Sequence, residues 1–117
     1  MPESPDSLRV FTYEEALEAF PAVRELTADA VRRVESLFQR VQSQGELDRR
    51  HGELETATQE VVDGWVRQME DLGCQVKGLW LVDFDNGAGY YCWRWPEASL
   101  AHFHGYEEGF AGRVPIQ

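Results

Sequence analysis

Two long stripes of apolar side chains run through the first two thirds of the chain and limit how it can fold. In each stripe the side chains recur at alternating spacings of three and four, the period of an amphipathic α-helix. The first stripe contains Phe20, Val23, Thr27, Ala30, Val34, Leu37 and Val41, and the second contains Leu47, His51, Leu54, Thr58, Val61, Trp65, Met69 and Leu72. Gly45 and Gly73 follow the stripes and suit the left-handed conformation that ends many helices. The sequence therefore predicts a long antiparallel helical hairpin, with helices at about 22–44 and 46–72.

The first helix has its own start signal ahead of the stripe. Thr12 and Glu15 have the spacing of a capping box, so a helix should begin just after Thr12, and the hairpin should span about 13–72. Pro21 then either kinks this helix or begins a second one as its first residue. Residues 1–7 are rich in Pro, Ser and acids without periodicity, which is typical of a disordered lead-in.

The segment at about 76–95 predicts an antiparallel β-hairpin. Residues 76–85 and 88–95 are rich in aromatic and β-branched side chains, and they flank Asn86-Gly87, the strongest two-residue hairpin signal. A tight turn at this dipeptide makes three cross-strand pairs. These pairs are Trp80 with Trp93, Val82 with Tyr91, and Leu81 with Cys92.

Alternation sorts the hairpin into two faces. The apolar face, expected to pack on the helices, carries Trp80, Val82, Phe84, Tyr91, Trp93 and Trp95. The mixed face carries Leu79, Leu81, Asp83, Tyr90, Cys92 and Arg94. Three glycines and Pro115 within residues 96–117 argue against a long helix, so we expect a short helical turn and a loop that covers the mixed face. The fold class is α+β, a single domain over 8–117 in which the helical hairpin packs on a small antiparallel sheet.

Composition excludes some classes of partner. The 117 residues include eleven basic and twenty-one acidic side chains, a net charge of -10, which repels nucleic acid and anionic lipid surfaces. No apolar run approaches the length of a membrane span and no signal peptide is evident, so we expect a cytoplasmic protein. Two cysteines in such a chain are expected to stay reduced.

Because the helical stripes are longer than the β-hairpin, we also expect a homodimer through Leu37, Val41, Leu47 and Leu54.

Several short motifs resemble an uncharacterised bacterial family, domain of unknown function 2203 (DUF2203). They are Leu-Val-Asp-Phe (81–84), Cys-Trp-Arg (92–94), Glu97, Phe-His (103–104), Gly-Phe-Ala-Gly-Arg (109–113), and Phe-Thr-Tyr-Glu-Glu-Ala (11–16) with Pro21. The sequence departs from the family pattern at Asp85, Pro96 and His102. The resemblance implies a small helical protein with an aromatic C-terminal motif, and it implies no reaction.

His102 and His104 form a His-x-His triplet, which in an extended strand presents both imidazoles on one face. Such a pair is a candidate site for Zn or another divalent metal, with a third ligand from Glu97, Glu107, Glu108, Asp83 or Cys92. The candidate metal set is His102, His104, Glu97 and Glu107. The alternative is a structural role for both histidines.

Two other chemistries are open for the same region. Cys92 and His104 are a possible thiolate and base, with Glu97 orienting the imidazole. The alternative for Cys92 is a small buried thiol in a strand. Arg94 and Arg113 either bind an anionic ligand or pair with acids such as Asp83 and Glu97 to fasten the C-terminal cover.

The sequence alone assigns no biochemical function. Its leading hypothesis is a small non-enzymatic binding or interaction module without a cofactor, and the alternative is a small enzyme that depends on a divalent metal such as Zn. Both place the site at one candidate cluster. Its residues are Asp83, Cys92, Arg94, Glu97, His104 and Arg113.

Overall fold

The computed structural model describes residues 9–43 and 51–116. Its elements in chain order are α1 (Tyr13–Ser43), α2 (His51–Asp71), β1 (Gln75–Gly78), β2 (Leu81–Asp85), β3 (Tyr90–Arg94), β4 (His102–His104), a 3-10 helix (Phe110–Gly112) and β5 (Val114–Pro115). The two helices pack against each other, and the strands form one antiparallel sheet in the order β1-β2-β3-β4-β5. The predicted α+β fold with a helical hairpin is confirmed. The predicted lead-in at 1–7, the helix end at Gly45 and the dimer residue Leu47 lie outside the described residues.

The capping box at the start of α1 is present as predicted. The Thr12 backbone N–H donates to Glu15 Oε1 at 2.9 Å, and the Glu15 backbone N–H donates to Thr12 Oγ1 at 3.0 Å. These bonds satisfy two backbone donors that the first helical turn leaves without partners. Pro21 begins no second helix, because α1 continues through it as one helix of 31 residues.

Thr27, a polar residue within the apolar stripe of α1, is the hydrogen-bond acceptor for the indole N–H of Trp65 in α2. Both side chains are buried, and Trp65 Nε1 donates to Thr27 Oγ1 at 2.8 Å. The Thr27 hydroxyl in turn donates to the Val23 carbonyl at 2.7 Å. This chain of bonds joins the two helices inside the core and fixes how they face each other.

The core lies between the helices and the apolar face of the sheet. Val82, Phe84 and Trp93 are fully buried in it, and Trp80, Tyr91 and Trp95 pack against it, which confirms the predicted apolar face. Phe20 of α1 contacts Trp93 edge-to-face with ring centroids 5.4 Å apart. Each such large apolar side chain contributes on the order of 1.5–3 kcal/mol by its burial. The opposite face of the sheet is therefore the one left for polar side chains.

The predicted register of the β-hairpin is wrong by two residues. The structure pairs Val82 with Trp93 and Asp83 with Cys92, and Trp80 lies before β2 begins. The cause is the turn, in which Asn86 and Gly89 are joined by a backbone hydrogen bond of 2.8 Å around the loop Gly87-Ala88. Gly87 has a φ of +91°, which glycine adopts without strain. A shift of two keeps every side chain on its predicted face.

Two further predictions need correction. The run 76–85 is two antiparallel strands, β1 and β2, because the chain reverses at Trp80, whose φ is 59°. The segment after Pro96 is not only a loop and helical turn, because β4 and β5 add two strands to the sheet. No described helix is long and apolar enough to cross a membrane.

Candidate functional site

Three neighbouring strands place a carboxylate, a thiol and an imidazole together on the mixed face of the sheet. Asp83 of β2 lies directly opposite Cys92 of β3, and His104 of β4 lies one diagonal away. The three side chains are 1%, 0% and 4% exposed. One oxygen, one sulfur and one nitrogen of this group all lie within 4.8 Å of one another. We call Asp83, Cys92 and His104 the central triad.

The two ring nitrogens of His104 have different partners. Nδ1 is 2.8 Å from the Gly105 carbonyl oxygen, and because a carbonyl only accepts, Nδ1 carries a proton. Nε2 is 3.0 Å from Asp83 Oδ2. A second proton must therefore lie between the imidazole and the carboxyl group, on one or the other. A metal ion bound to Nε2 replaces such a proton, and a backbone carbonyl on Nδ1 is a common orienting partner of metal-bound histidine.

Asp83 is buried with one carboxylate oxygen poorly satisfied. Oδ2 is contacted by His104 and also by Lys77 Nζ, which lies 3.4 Å away. No N–H or O–H donor from the described residues reaches the buried Oδ1, and the carboxylate has the Cys92 thiol as a neighbouring hydrogen-bond donor. An S–H group is a weak donor, so this carboxylate keeps acceptor capacity for a cation.

Cys92 is a buried thiol rather than an exposed thiolate. Burial first, and then the neighbouring Asp83 carboxylate, raise the pKa of Cys92 to about 12, while Arg113 acts in the opposite direction. Reactive cysteines have lowered pKa values and partial exposure. The environment therefore disfavours Cys92 as a free nucleophile. It is compatible with metal ligation, because a bound cation removes the thiol proton outright.

Arg113 and Glu97 form a pair beside the thiol. Arg113 donates from Nη1 and Nη2 to the two Glu97 carboxylate oxygens at 3.0 and 2.7 Å. Glu97 Oε1 also accepts the Arg94 backbone N–H at 2.9 Å. Partial burial acts to raise the pKa of Glu97, but these hydrogen bonds and the Arg113 charge outweigh it, and the net pKa is lowered. The predicted pairing of Arg113 with Glu97 is confirmed.

An open cleft of about 410 Å³ lies over Asp83 and His104. Its walls come from β1 and β2 on one side and from the segment between β4 and β5 on the other. The lining residues are Lys77, Leu81, Asp83, His104, Tyr106, Glu107, Glu108, Gly109 and Phe110. The C-terminal segment therefore covers the mixed face, as predicted, but leaves a path from solvent to Asp83 and His104.

The remaining candidates are not members of the triad. Arg94 is exposed, with its guanidinium 5.2 Å from the Phe110 ring centre, and it is not in an ion pair with Asp83 or Glu97, whose charged partners among the described residues are Lys77, His104 and Arg113. Glu107 is exposed at the cleft, and Glu108 accepts the Gly105 backbone N–H. His102 lies opposite Cys92 in register, and its buried Nδ1 has no partner among the described residues. Of the candidate metal set, only His104 belongs to the central triad.

Sequence reasoning missed Lys77. It lies on β1, next to Asp83 of β2, and its Nζ also stands 3.7 Å from the centre of the Tyr90 ring. The one sequence feature that sets Lys77 apart is that it is the single lysine among eleven basic residues. The missed strand break at Trp80 hid its position beside Asp83.

These features define a small α+β protein whose antiparallel sheet carries a buried carboxylate, thiol and imidazole beneath an open cleft. The chain belongs to the DUF2203 family: the family model, described as "Uncharacterized conserved protein (DUF2203)", matches residues 9–116. No curated protein and no solved structure matches the chain.

Proposed function

We propose that this protein is a small binding module that holds a divalent transition metal ion, Zn²⁺ by preference, at the central triad. Oxygen, sulfur and nitrogen donors are the set from which Zn²⁺ sites are built. Ligand atoms around a tetrahedral Zn²⁺ lie roughly 3.3–3.8 Å apart, given bonds of about 2.0–2.3 Å. The triad atoms lie within 4.8 Å, so side-chain movements of about 1 Å bring them to bonding distance.

The observation that carries the proposal is the bonding of His104. Its Nδ1–H donates to the Gly105 carbonyl oxygen, and its Nε2 lies 3.0 Å from Asp83 Oδ2. A metal ion at Nε2 would replace the proton that this contact otherwise needs, and the Asp83 carboxylate would supply an oxygen ligand from the same buried group.

The charges around the triad support a bound thiolate. Arg113 lies within hydrogen-bonding reach of the Cys92 sulfur and favours its ionised form. The Arg113 charge is balanced by Glu97, so it adds little repulsion toward the metal. Asp83 and a Cys92 thiolate together carry two negative charges, which match a divalent cation.

Metal titration of the untagged protein tests the proposal, with Co²⁺ as the spectroscopic probe and Zn²⁺ as the competitor. We expect one equivalent of Co²⁺ to bind with a sulfur-to-metal absorption band and to be displaced by Zn²⁺. The Cys92→Ser variant should lose this band and His104→Ala should lose tight binding. The matched control is Cys74→Ser, because Cys74 is also a buried free thiol but lies outside the triad. Wild-type binding in both Cys92→Ser and His104→Ala contradicts the proposal.

A metal-dependent enzyme is the second candidate. Three protein ligands would leave one coordination position free, as in catalytic zinc sites, and the cleft reaches two of the three ligands, Asp83 and His104. Hydrolysis of an activated ester by Zn²⁺-loaded protein tests this candidate. Turnover that depends on the metal and is lost in His104→Ala supports the enzyme; stoichiometric metal without turnover supports the binding module.

Homodimerisation through the helices is a separate proposal. Val41 and Leu54 are buried within the chain itself, so they offer little surface to a partner, whereas Phe38 of α1 is 46% exposed. We therefore place the contact at Phe38 and the half-buried Leu37. Light scattering of the wild type and of Phe38→Asp tests the dimer, and a wild-type monomer at high concentration contradicts it.

We also propose a cytoplasmic location, which fits two cysteines that are both free.

A further inference from the structure

Lys77 is held at one position at the base of the cleft. Its Nζ lies 3.4 Å from Asp83 Oδ2 and 3.7 Å from the centre of the Tyr90 ring, so a carboxylate and an aromatic face both fix the ammonium group. The side chain is 36% exposed and lines the cleft. A positive charge therefore faces the space directly beside the central triad.

The charge balance at this base changes when a metal is bound. Asp83 and a Cys92 thiolate offset a divalent ion, His104 is neutral as a ligand, and Arg113 is offset by Glu97. Because the metal ion then offsets Asp83, the partner of Lys77, the ammonium group adds one net positive charge at the base of the cleft. One unit of positive charge next to an open coordination position attracts a small anion.

The residues that line the cleft indicate which class of anion fits it. Glu107 and Glu108 line the cleft as exposed acids, so their charges repel large polyanions at the entrance. Leu81 and Phe110 supply apolar surface within the same space. A monoanionic carboxylate on a short apolar body matches the single balancing charge and these walls better than a phosphate dianion does.

We infer that the cleft binds a small carboxylate, whose oxygens lie between the metal ion and the Lys77 ammonium group and whose apolar body contacts Leu81 and Phe110. This inference rests on the proposed metal site. It assigns Lys77 the role of a ligand-binding residue that is not itself a metal ligand.

Co²⁺-loaded protein titrated with benzoate, acetate and inorganic phosphate tests the inference through the visible spectrum of the metal. We expect benzoate to change the spectrum saturably and to bind more tightly than acetate or phosphate. Lys77→Gln should still bind Co²⁺ but should weaken benzoate binding by about tenfold or more, the effect of losing one charge-assisted contact. Lys77→Arg should retain part of the affinity. Arg94→Gln is the matched control, because Arg94 is a nearby exposed cation outside the cleft lining, and it should bind benzoate like the wild type.

The outcomes separate this inference from the proposed function. Failure to bind Co²⁺ overturns the metal site and the inference with it. If Co²⁺ binds normally but benzoate leaves the spectrum unchanged, or if Lys77→Gln binds benzoate as tightly as the wild type does, the inference alone is overturned. Tighter binding of phosphate than of benzoate overturns the assignment to a carboxylate.

Discussion

Replacing Arg113 with alanine should destabilise the protein far more than the same change at Arg94. Arg113 is 12% exposed and its partner Glu97 is 27% exposed, so the pair is partly withdrawn from water. The change removes two hydrogen bonds to a charged group, of 3.0 and 2.7 Å, and a cation–π contact of 4.1 Å with Phe110. A hydrogen bond to a charged group contributes about 1.5–3 kcal/mol, but Glu97 keeps the Arg94 backbone donor and some water. We therefore expect a loss of about 2.5 kcal/mol.

This loss converts into a clear shift in melting temperature. The unfolding entropy is about 2.1 cal/mol/K per residue, or about 0.25 kcal/mol/K for 117 residues, so 1 kcal/mol corresponds to about 4 °C. Arg113→Ala should melt about 10 °C below the wild type. Arg94→Ala keeps its backbone N–H and loses only an exposed side chain, so it should melt within about 2 °C of the wild type. Scanning calorimetry measures both variants. Equal losses, or a larger loss for Arg94→Ala, refute the assignment of Arg113 as the fastening residue.

Three further predictions concern the core, the sheet and acid stability. Thr27→Val should cost about 1–3 kcal/mol in urea unfolding, because it strands the buried Trp65 N–H; an unchanged midpoint contradicts this. Gly89→Ala should cost about 2 kcal/mol in the same assay, because its Cβ would lie 2.6 Å from the His104 carbonyl oxygen, and wild-type stability contradicts that contact. Glu97 has a lowered pKa in the folded state, so its contribution is present above its ordinary pKa of 4.5 and is lost as pH falls below it. The stability difference between wild type and Glu97→Gln should therefore shrink in acid, and a constant difference contradicts the reasoning.

Sequence patterns predicted those parts of the fold that depend on residues close together in the sequence. The capping box of Thr12 and Glu15 is one case, since its bonds connect positions three apart. The faces of β2 and β3 are another, because alternation depends only on the pleat. The hairpin register was not predictable in this way. Asn86-Gly87 and Gly87-Ala88 are both suitable sequences for a two-residue loop, and the structure uses Gly87-Ala88 because the choice depends on the packing of the whole sheet.

The candidate site was predicted in part for a related reason. Asp83 and Cys92 lie on one face under either register, and His104 shares that face once β4 joins the sheet. Strand β4 has three residues, too few for a periodic signal, so its pairing was not predicted. Lys77 was missed because β1 pairs with β2 through a reversal at Trp80, a residue type that rarely adopts positive φ.

X-ray absorption at the zinc edge is the measurement that tests the central claim most directly. The proposed site contains one sulfur ligand, from Cys92, with nitrogen and oxygen ligands from His104 and Asp83. Zn²⁺-loaded wild-type protein should show one sulfur at about 2.3 Å and the lighter ligands at about 2.0–2.2 Å. The sulfur shell should disappear in Cys92→Ser and persist in Cys74→Ser. A wild-type shell made only of nitrogen and oxygen, or a sulfur shell that survives in Cys92→Ser, contradicts the proposed metal site.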